Sequence, residues 1–343
     1  MAKNFYNHLA GYTEGADRTK ESRKILSNLT VREFTEEFGR DDFDSLMLDV
    51  AHLRLQKGAR SVQSIWPDLV TRTSISDFKA NYVASVGSFP DLAEVKEFGE
   101  YPEVTFADQD TSYSATKYGS MFSVSMEARA NDALGELGRN TQKFGAASAR
   151  TIEKFVLETN MNDNPTYSVD SVAVWNATSH ANSLDAANGY TRAGLVDALA
   201  LFGNQTDRDG NQINIQPRRL IVSPDDYIEA LEDVASATKI TADEAGSATT
   251  FRGNDSVIKN FGLEVRFSPY ITAGTFFLFA DPNEYEGIEV GFMNGRSDPE
   301  IMVEQPNTGF SFEHDAERVK CRLIFGGTWI DYRASVRGGI ADS

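Results

Sequence analysis

The stretch YSATKYGSMFSVSMEARANDALGELGRN, Tyr113 to Asn140, changes its period without a turn. Its first half alternates as a strand does, sending successive side chains to opposite faces. Its second half repeats at three and four residues, the spacing of one helix face. A strand fused straight to a helix passes strain from one element into the other. The join also carries Glu127, Arg129, Asn131 and Asp132, so it must be weighed as an active site.

Either side of the join the pattern continues. Ala130, Ala133, Leu134, Leu137, Thr141, Phe144, Ser148, Ile152 and Phe155 share one helix face. Gly135 and Gly138 interrupt it at about 1 kcal/mol each relative to Ala, which predicts a break or kink near Gly138. The remaining helix, about 139–160, ends at NMNDNP by Asn chemistry and then Pro. Upstream, residues 82–124 read as a long hairpin. Thr111, Tyr113, Ala115 and Lys117 alternate with Ser112, Ser114, Thr116 and Tyr118, so both faces look mostly polar. A hairpin buried in its own domain has one apolar face. This one is therefore expected to project and pair with other chains.

Residues 1–80 read as a charged arm with helical pieces: Leu29, Phe34 and Phe38, then Leu46, Val50 and Leu53. Residues 166–290 read as mixed α/β. TRAGLVDALALFG is a helix capped by Thr191 and stopped by Gly203. RRLIVSPDDYIEALED is a strand, then a helix with Ser223 as N-cap and Pro224 at its first position, as capping and the helix dipole favour. Residues 239–256 read as a mobile polar loop. FGLEVRFSPY and GTFFLFADP read as strands, and 288–338 as strand-rich, with two alternating runs either side of Gly326-Gly327.

Chemistry finds little support. The formal charge of −18, from 33 Lys+Arg against 51 Asp+Glu, repels polyanions. Arg218-Arg219 is the nearest thing to a basic stripe, so a tight nucleic-acid reader is not expected. The single cysteine, Cys321 in RVKCRLIF, reads as a buried small hydrophobe. His8, His52, His180 and His314 share no metal-ligand spacing, so no metal and no cofactor are expected. DRDGN at 207–211 reads as an Asp-Gly turn rather than a calcium loop. Asp225/Asp226 suits a helix N-terminus better than acid–base work. The N-terminus lacks the apolar core of a signal peptide, and no run is long enough to span a membrane. The acids and Arg129 at the join read as capping and salt links. No enzyme activity is expected.

The order of these pieces resembles the major capsid proteins of tailed phages, the Hong Kong 97-like fold, and most closely the Mu-type major head subunits. LAEVKEFGEY followed by YSATKYGSMFSVSMEARANDALGEL resembles that family's extended hairpin running into its spine helix. KFGAASARTIEKFV resembles the body of the spine. GTFFLFADPNEYEGIEVGFMNG with PEIMVEQ, and then FEHDAERVKCRLIFGGTWIDYRA, resemble the return to the peripheral domain and the closing strands. The likeness runs over about 60–338 and rests on order rather than on one motif.

The resemblance implies an α+β fold. It has an N-terminal arm (1–80), an extended hairpin or E-loop (81–124), a peripheral domain (125–165 and 288–338) and an axial domain (166–287). It implies a virion shell built in a bacterial cytoplasm from hexamers and pentamers of this chain, enclosing double-stranded DNA without reading its sequence. Portal, scaffold and decoration proteins are implied partners; a membrane is not. Glu94, Lys96, Glu97, Phe98, Tyr101, Tyr113, Lys117, Glu127 and Arg129 are the expected intersubunit contacts. Some relatives cross-link Lys to Asn, but Lys96, Asn294 and Asn307 match no such pattern residue by residue. The alternatives are an encapsulin-type shell that houses an enzyme, and a soluble α/β hydrolase using an unrecognised acid pair.

Overall fold

A computed structural model describes residues 53–85, 94–96, 98, 109–125, 127, 136–184, 189–207, 210–235, 238–242, 251–255, 258–304 and 309–339. The chain divides into two units, and it crosses between them at residues 63/64, 115/116, 151/152, 295/296 and 325/326. The elements are α+β throughout.

The first unit holds a three-stranded antiparallel sheet. β4 (Thr116–Ser125) pairs with β12 (Ala316–Trp329) over all ten of its residues, from Thr116 opposite Phe325 to Ser125 opposite Ala316. β11 (Glu300–Val303) lies on the other side of β12. One sheet face packs on helix. Phe122 stacks on Phe144 at 5.2 Å between centroids, and Leu55, Ile301 and Cys321 form a small core with Phe144 and Val319. Phe144 belongs to α2 (Glu136–Lys154) and Leu55 to α1, residues 53–60. The two helices touch backbone to backbone, because a Cβ on Gly145 would overlap the Leu55 carbonyl and one on Gly58 the Gln142 carbonyl. α2 starts at Glu136, with Gly138 in its first turn; residues 128–135, where a break just before Gly138 would fall, lie outside the described residues. The helix then widens into a π-helix, Phe155–Asn162, and ends in the NMNDNP stretch as expected.

The second unit holds a four-stranded sheet ordered β13–β9–β5–β8: Ser335–Gly338, Phe276–Phe279, Arg219–Val222 and Glu264–Phe267. Both faces are buried along β13, β9 and β5, whereas at β8 only Val265 is buried. Leu220, Val222, Phe276, Leu278 and Val336 meet Leu195, Ala198, Leu199 and Phe202 of α3 (Arg192–Gly203) and Ala230 of α4 (Tyr227–Ala235). On the other side Phe277 lies 4.9 Å from Trp175, which sits edge-on to Trp329 at 5.2 Å. Trp329 donates its indole N–H to the Asn160 carbonyl at 2.8 Å. Thr191 caps α3, its hydroxyl accepting from Gly194 N–H at 3.1 Å. Ser223 accepts from the Asp226 amide at 3.3 Å, but the regular helix starts only at Tyr227.

Several expectations change. Residues 70–75, assigned to the arm, form β1 (Val70–Ile75), parallel to β10 (Ile288–Met293), with Val70 and Ile75 buried. The β-branched alternation of VTRTSI fits a strand better than an arm. The hairpin is shorter than expected. β2 (Asn81–Ser85) pairs with β3 (Gln109–Tyr113), but β4 belongs to β12 instead. Part of the expected mobile loop is a strand pair, β6 (Thr238–Ala242) and β7 (Phe251–Asp255). Gly326 and Gly327 lie inside the 14-residue β12 rather than between two runs. Added Cβ atoms there would overlap the carbonyls of Ser114 and Glu289, so the pair permits a close backbone approach. Residues 310–314 of the expected strand region form a short helix, α5 (Phe310–His314).

Candidate functional site

The expected contact residues fall into three groups. Glu94, Lys96 and Glu127 are exposed. Phe98 is fully exposed at 102% and sits at φ 62°, an unusual conformation for a bulky residue. Lys117 is exposed on β4. Glu97, Tyr101 and Arg129 lie outside the described residues.

Tyr113 corrects the expectation. It is buried at 7%, and its hydroxyl donates to Glu289 Oε1 at 2.5 Å within the same chain. Burial first, and then the hydrogen bond to Glu289, push its phenol pKa well up. Thr111 and Ala115 are buried beside it, at 1% and 8%. The face formed by residues 111, 113 and 115 is therefore internal, although Thr and Tyr count as polar in a pattern. Tyr113 fixes the hairpin root to β10 and offers no side chain to a neighbour.

The groups that might have carried catalysis are spent on structure. His180 is 4% exposed, with Nδ1 2.8 Å from the Val174 carbonyl and Nε2 2.6 Å from Asp170 Oδ2. Its ring stacks on Tyr332 at 3.8 Å. Both nitrogens face acceptors, so neither is open to activate a nucleophile. Desolvation opposes ionisation of Asp170, but hydrogen bonds from His180 and the Val172 N–H outweigh it and lower its pKa. Asp226 Oδ2 accepts from the Ser223 hydroxyl at 2.7 Å and from Gly274 N–H at 2.9 Å. Asp207 accepts from Asn211 N–H at 2.8 Å and closes the DRDGN turn. Cys321 is 5% exposed, and burial pushes its thiol up to about 11. It lines a cavity of about 220 Å³ with Tyr118, Phe144 and Leu323. Among the described residues no group of three or more His, Cys, Asp or Glu is placed to hold a metal ion, and no helix is long and apolar enough to cross a membrane.

Two features escaped the sequence reading. Glu153, 4% exposed, accepts from the N–H groups of Ile65 and Trp66 at 3.1 and 3.4 Å, and burial raises its pKa against those bonds. It ties α2's C-terminal end to the short 3₁₀ turn Trp66–Asp68 that precedes β1. The second is the sheet face of the first unit opposite its helices. β12 presents Arg318, Lys320 and Arg322 there, at every second residue. That spacing was visible in RVKCR as one strand face.

Among the described residues what remains is a buried framework, a hairpin root and an exposed sheet face. Residues 108–338, more than half of the chain, match the phage capsid protein family. The chain belongs to that family. Its fold is similar to three solved structures. One is from Gordonia phage Cozz, at 13% identity and TM-score 0.53, over 82% of this chain and 87% of that one. The second is the capsid structure of cyanophage P-SCSP1u, at 13% identity and TM-score 0.53, over 82% and 89%. The third is a virus-like particle from Pyrococcus furiosus, at 15% identity and TM-score 0.51, over 85% and 98%. At these identities the likeness is one of fold, and it is the Hong Kong 97-like fold. No curated protein matches the chain. As a phage capsid protein the chain is a shell subunit, which agrees with the resemblance read from its ordered stretches.

Proposed function

We propose that this capsid protein is the major head subunit of a tailed phage, kin to the Mu-type head subunits. Copies of it assemble as hexamers and pentamers into a closed icosahedral shell around double-stranded DNA. Assembly takes place in the host cytoplasm, with portal, scaffold and decoration proteins as partners. The observation that carries this is the family match over residues 108–338, which runs from the hairpin's return strand to the closing strands. The hairpin between β2 and β3 lies over a neighbour, with Glu94, Lys96, Glu97, Phe98 and Tyr101 at the contact and Lys117, Glu127 and Arg129 nearer its root. A fully exposed Phe98 is the kind of aromatic anchor that a contact of this type buries. The field of the −18 chain suits a container that holds DNA without gripping it. Closed symmetry lets one chain make the whole container.

The test is to produce the full chain and size it, then image what elutes. Closed particles containing nuclease-protected DNA support the proposal. Particles that co-purify with a cargo enzyme and no DNA would favour an encapsulin-type compartment. A monomer or dimer under all conditions overturns both. A chain lacking residues 94–110 is expected to stay folded and to form no shells; normal shells from it would remove the hairpin from the account.

A further inference from the structure

The inner face of the first unit's sheet carries large side chains at both ends and small ones between. Alternate residues of a strand share a face, so three cross-strand pairs line it: Tyr118 opposite Leu323, Ser120 opposite Cys321, and Phe122 opposite Val319. Phe122 stacks on Phe144 of α2 at 5.2 Å, and Tyr118 stacks on Phe325 at 4.6 Å. Between these two stacks lies the Ser120–Cys321 pair, the smallest of the three. Beyond Phe144 the same face of α2 offers Ala147, Ser148 and Thr151, at helical spacing. Small side chains on the strands thus meet small side chains on the helix, and a cavity of about 220 Å³ is left between them. All of its lining residues belong to the first unit. Gly119 and Ser120 at its wall are exposed, so the cavity opens at β4.

We propose that this cavity binds a small uncharged apolar molecule, about the size of a benzene ring with one short substituent. Size sets the upper limit. Pockets for drug-sized ligands and cofactors run to about 300–1,000 Å³, so a nucleotide or a flavin does not fit. A dry apolar cavity of about 150 Å³ already takes benzene. Polarity sets the class. Ser148 donates its hydroxyl hydrogen to the Gly145 carbonyl at 2.7 Å, and Thr151 donates to the Ala147 carbonyl at 2.9 Å. The backbones of β4 and β12 are engaged in their own ladder. Cys321 adds only a weak donor, and Phe144 and Leu323 add none. A buried water wants two to four polar partners, and this wall offers few. A carboxylate or an amine would lose its hydration with no partner in exchange. An apolar ring loses nothing by entering and gains contacts with Phe144, Leu323 and Ala147. By mass action such a ligand stabilises the folded subunit.

The experiment uses the full chain with toluene as the probe and benzoate, the same ring with a charge, as the control. Cys321 is the only cysteine and lines the cavity, so its alkylation by iodoacetamide, followed by mass spectrometry, reports on this site alone. Toluene at ten times its Kd is expected to slow alkylation about tenfold, because an occupied cavity is closed to the reagent, and to raise the melting temperature by about 2 °C. Benzoate is expected to do neither. Ala147→Leu fills the space from the helix and Ser120→Val from the strand. Each variant is expected to abolish both toluene effects, and having one from each wall keeps the test open should either fail to fold. Equal effects of toluene and benzoate would overturn the apolar assignment. Toluene effects that persist in the filled variants would place the binding elsewhere and overturn the site. Alkylation that is unchanged by toluene would mean that nothing apolar enters, or that a side chain already fills the space, and would overturn the proposal too. None of these results bears on whether the chain forms shells, so the two readings stand or fall separately.

Discussion

The two sheets of this subunit are finished in different ways. In the second unit β5 and β9 are covered on both faces, by α3 and α4 on one side and by Trp175 and Trp329 on the other. Among the described residues of the first unit, β4 and β12 are covered on one face, by a core of three buried residues and two partly buried ones. A two-sided sheet buries near-continuous apolar runs such as FFLF, whereas a one-sided sheet alternates. The second unit's sheet is covered within one chain. Among the described residues, the first unit's sheet leaves a charged face and a long edge uncovered. A shell subunit needs both, a rigid framework and an unfinished surface.

Mutations should separate the two sheets. The largest effect is expected from Phe276→Ala, since Phe276 is fully buried between sheet and helix. A loss of about 3–5 kcal/mol, read by chemical denaturation, is the cost of such a cavity. Next comes Tyr113→Phe, which leaves the buried Glu289 carboxylate without its donor. It should cost about 1–3 kcal/mol, the usual penalty for an unsatisfied buried group, and should expose the hairpin root to proteolysis. Thr191→Ala removes the α3 cap and should cost about 1 kcal/mol. On the open face Met121→Ala should change monomer stability by less than about 0.5 kcal/mol and still lower shell yield. If Met121→Ala destabilised the monomer as Phe276→Ala does, the contrast between the two sheets would fail.

Acid should act on both units through paired carboxylates. Arg322 is the main cause of Glu300's lowered pKa, and the bonds from His180 and Val172 N–H lower that of Asp170. A depressed folded pKa means that the unfolded chain takes up protons first as pH falls. Each pair's contribution is therefore full above the ordinary carboxylate range and is lost as pH drops through the depressed value. Glu300 is one-third exposed and Asp170 more so, so solvent screens both and the effect is small. Melting temperature followed from neutral pH downward should begin to fall near pH 4, and Asp170→Asn should flatten part of that fall.

Much of the framework was legible in the sequence. Thr191, the RLIV strand and the NMNDNP stop were readable because capping, β-branching and Asn/Pro chemistry are local. Long-range pairing was less legible. TKYGSMFSVS alternates as any strand does, and nothing within it distinguishes a partner at 81–85 from one at 316–325. Tyr113 was misplaced because its hydroxyl made it look polar, while its ring and hydrogen bond belong to the interior. The basic face was present as Arg318, Lys320 and Arg322 at alternate positions, but its meaning needs β4 and β11 beside it. Gly326-Gly327 shows the same limit, since the close approach that requires them involves residues far away in the chain.

The central claim is that one sheet is complete in the subunit and the other only in the shell. Amide hydrogen exchange on free subunits and on assembled particles tests it most directly. Peptides covering β4, Thr116–Ser125, should gain protection on assembly. Those covering β5 and β9, Arg219–Val222 and Phe276–Phe279, should be equally protected in both states. No gain at β4, or an equal gain at β5 and β9, would contradict the account.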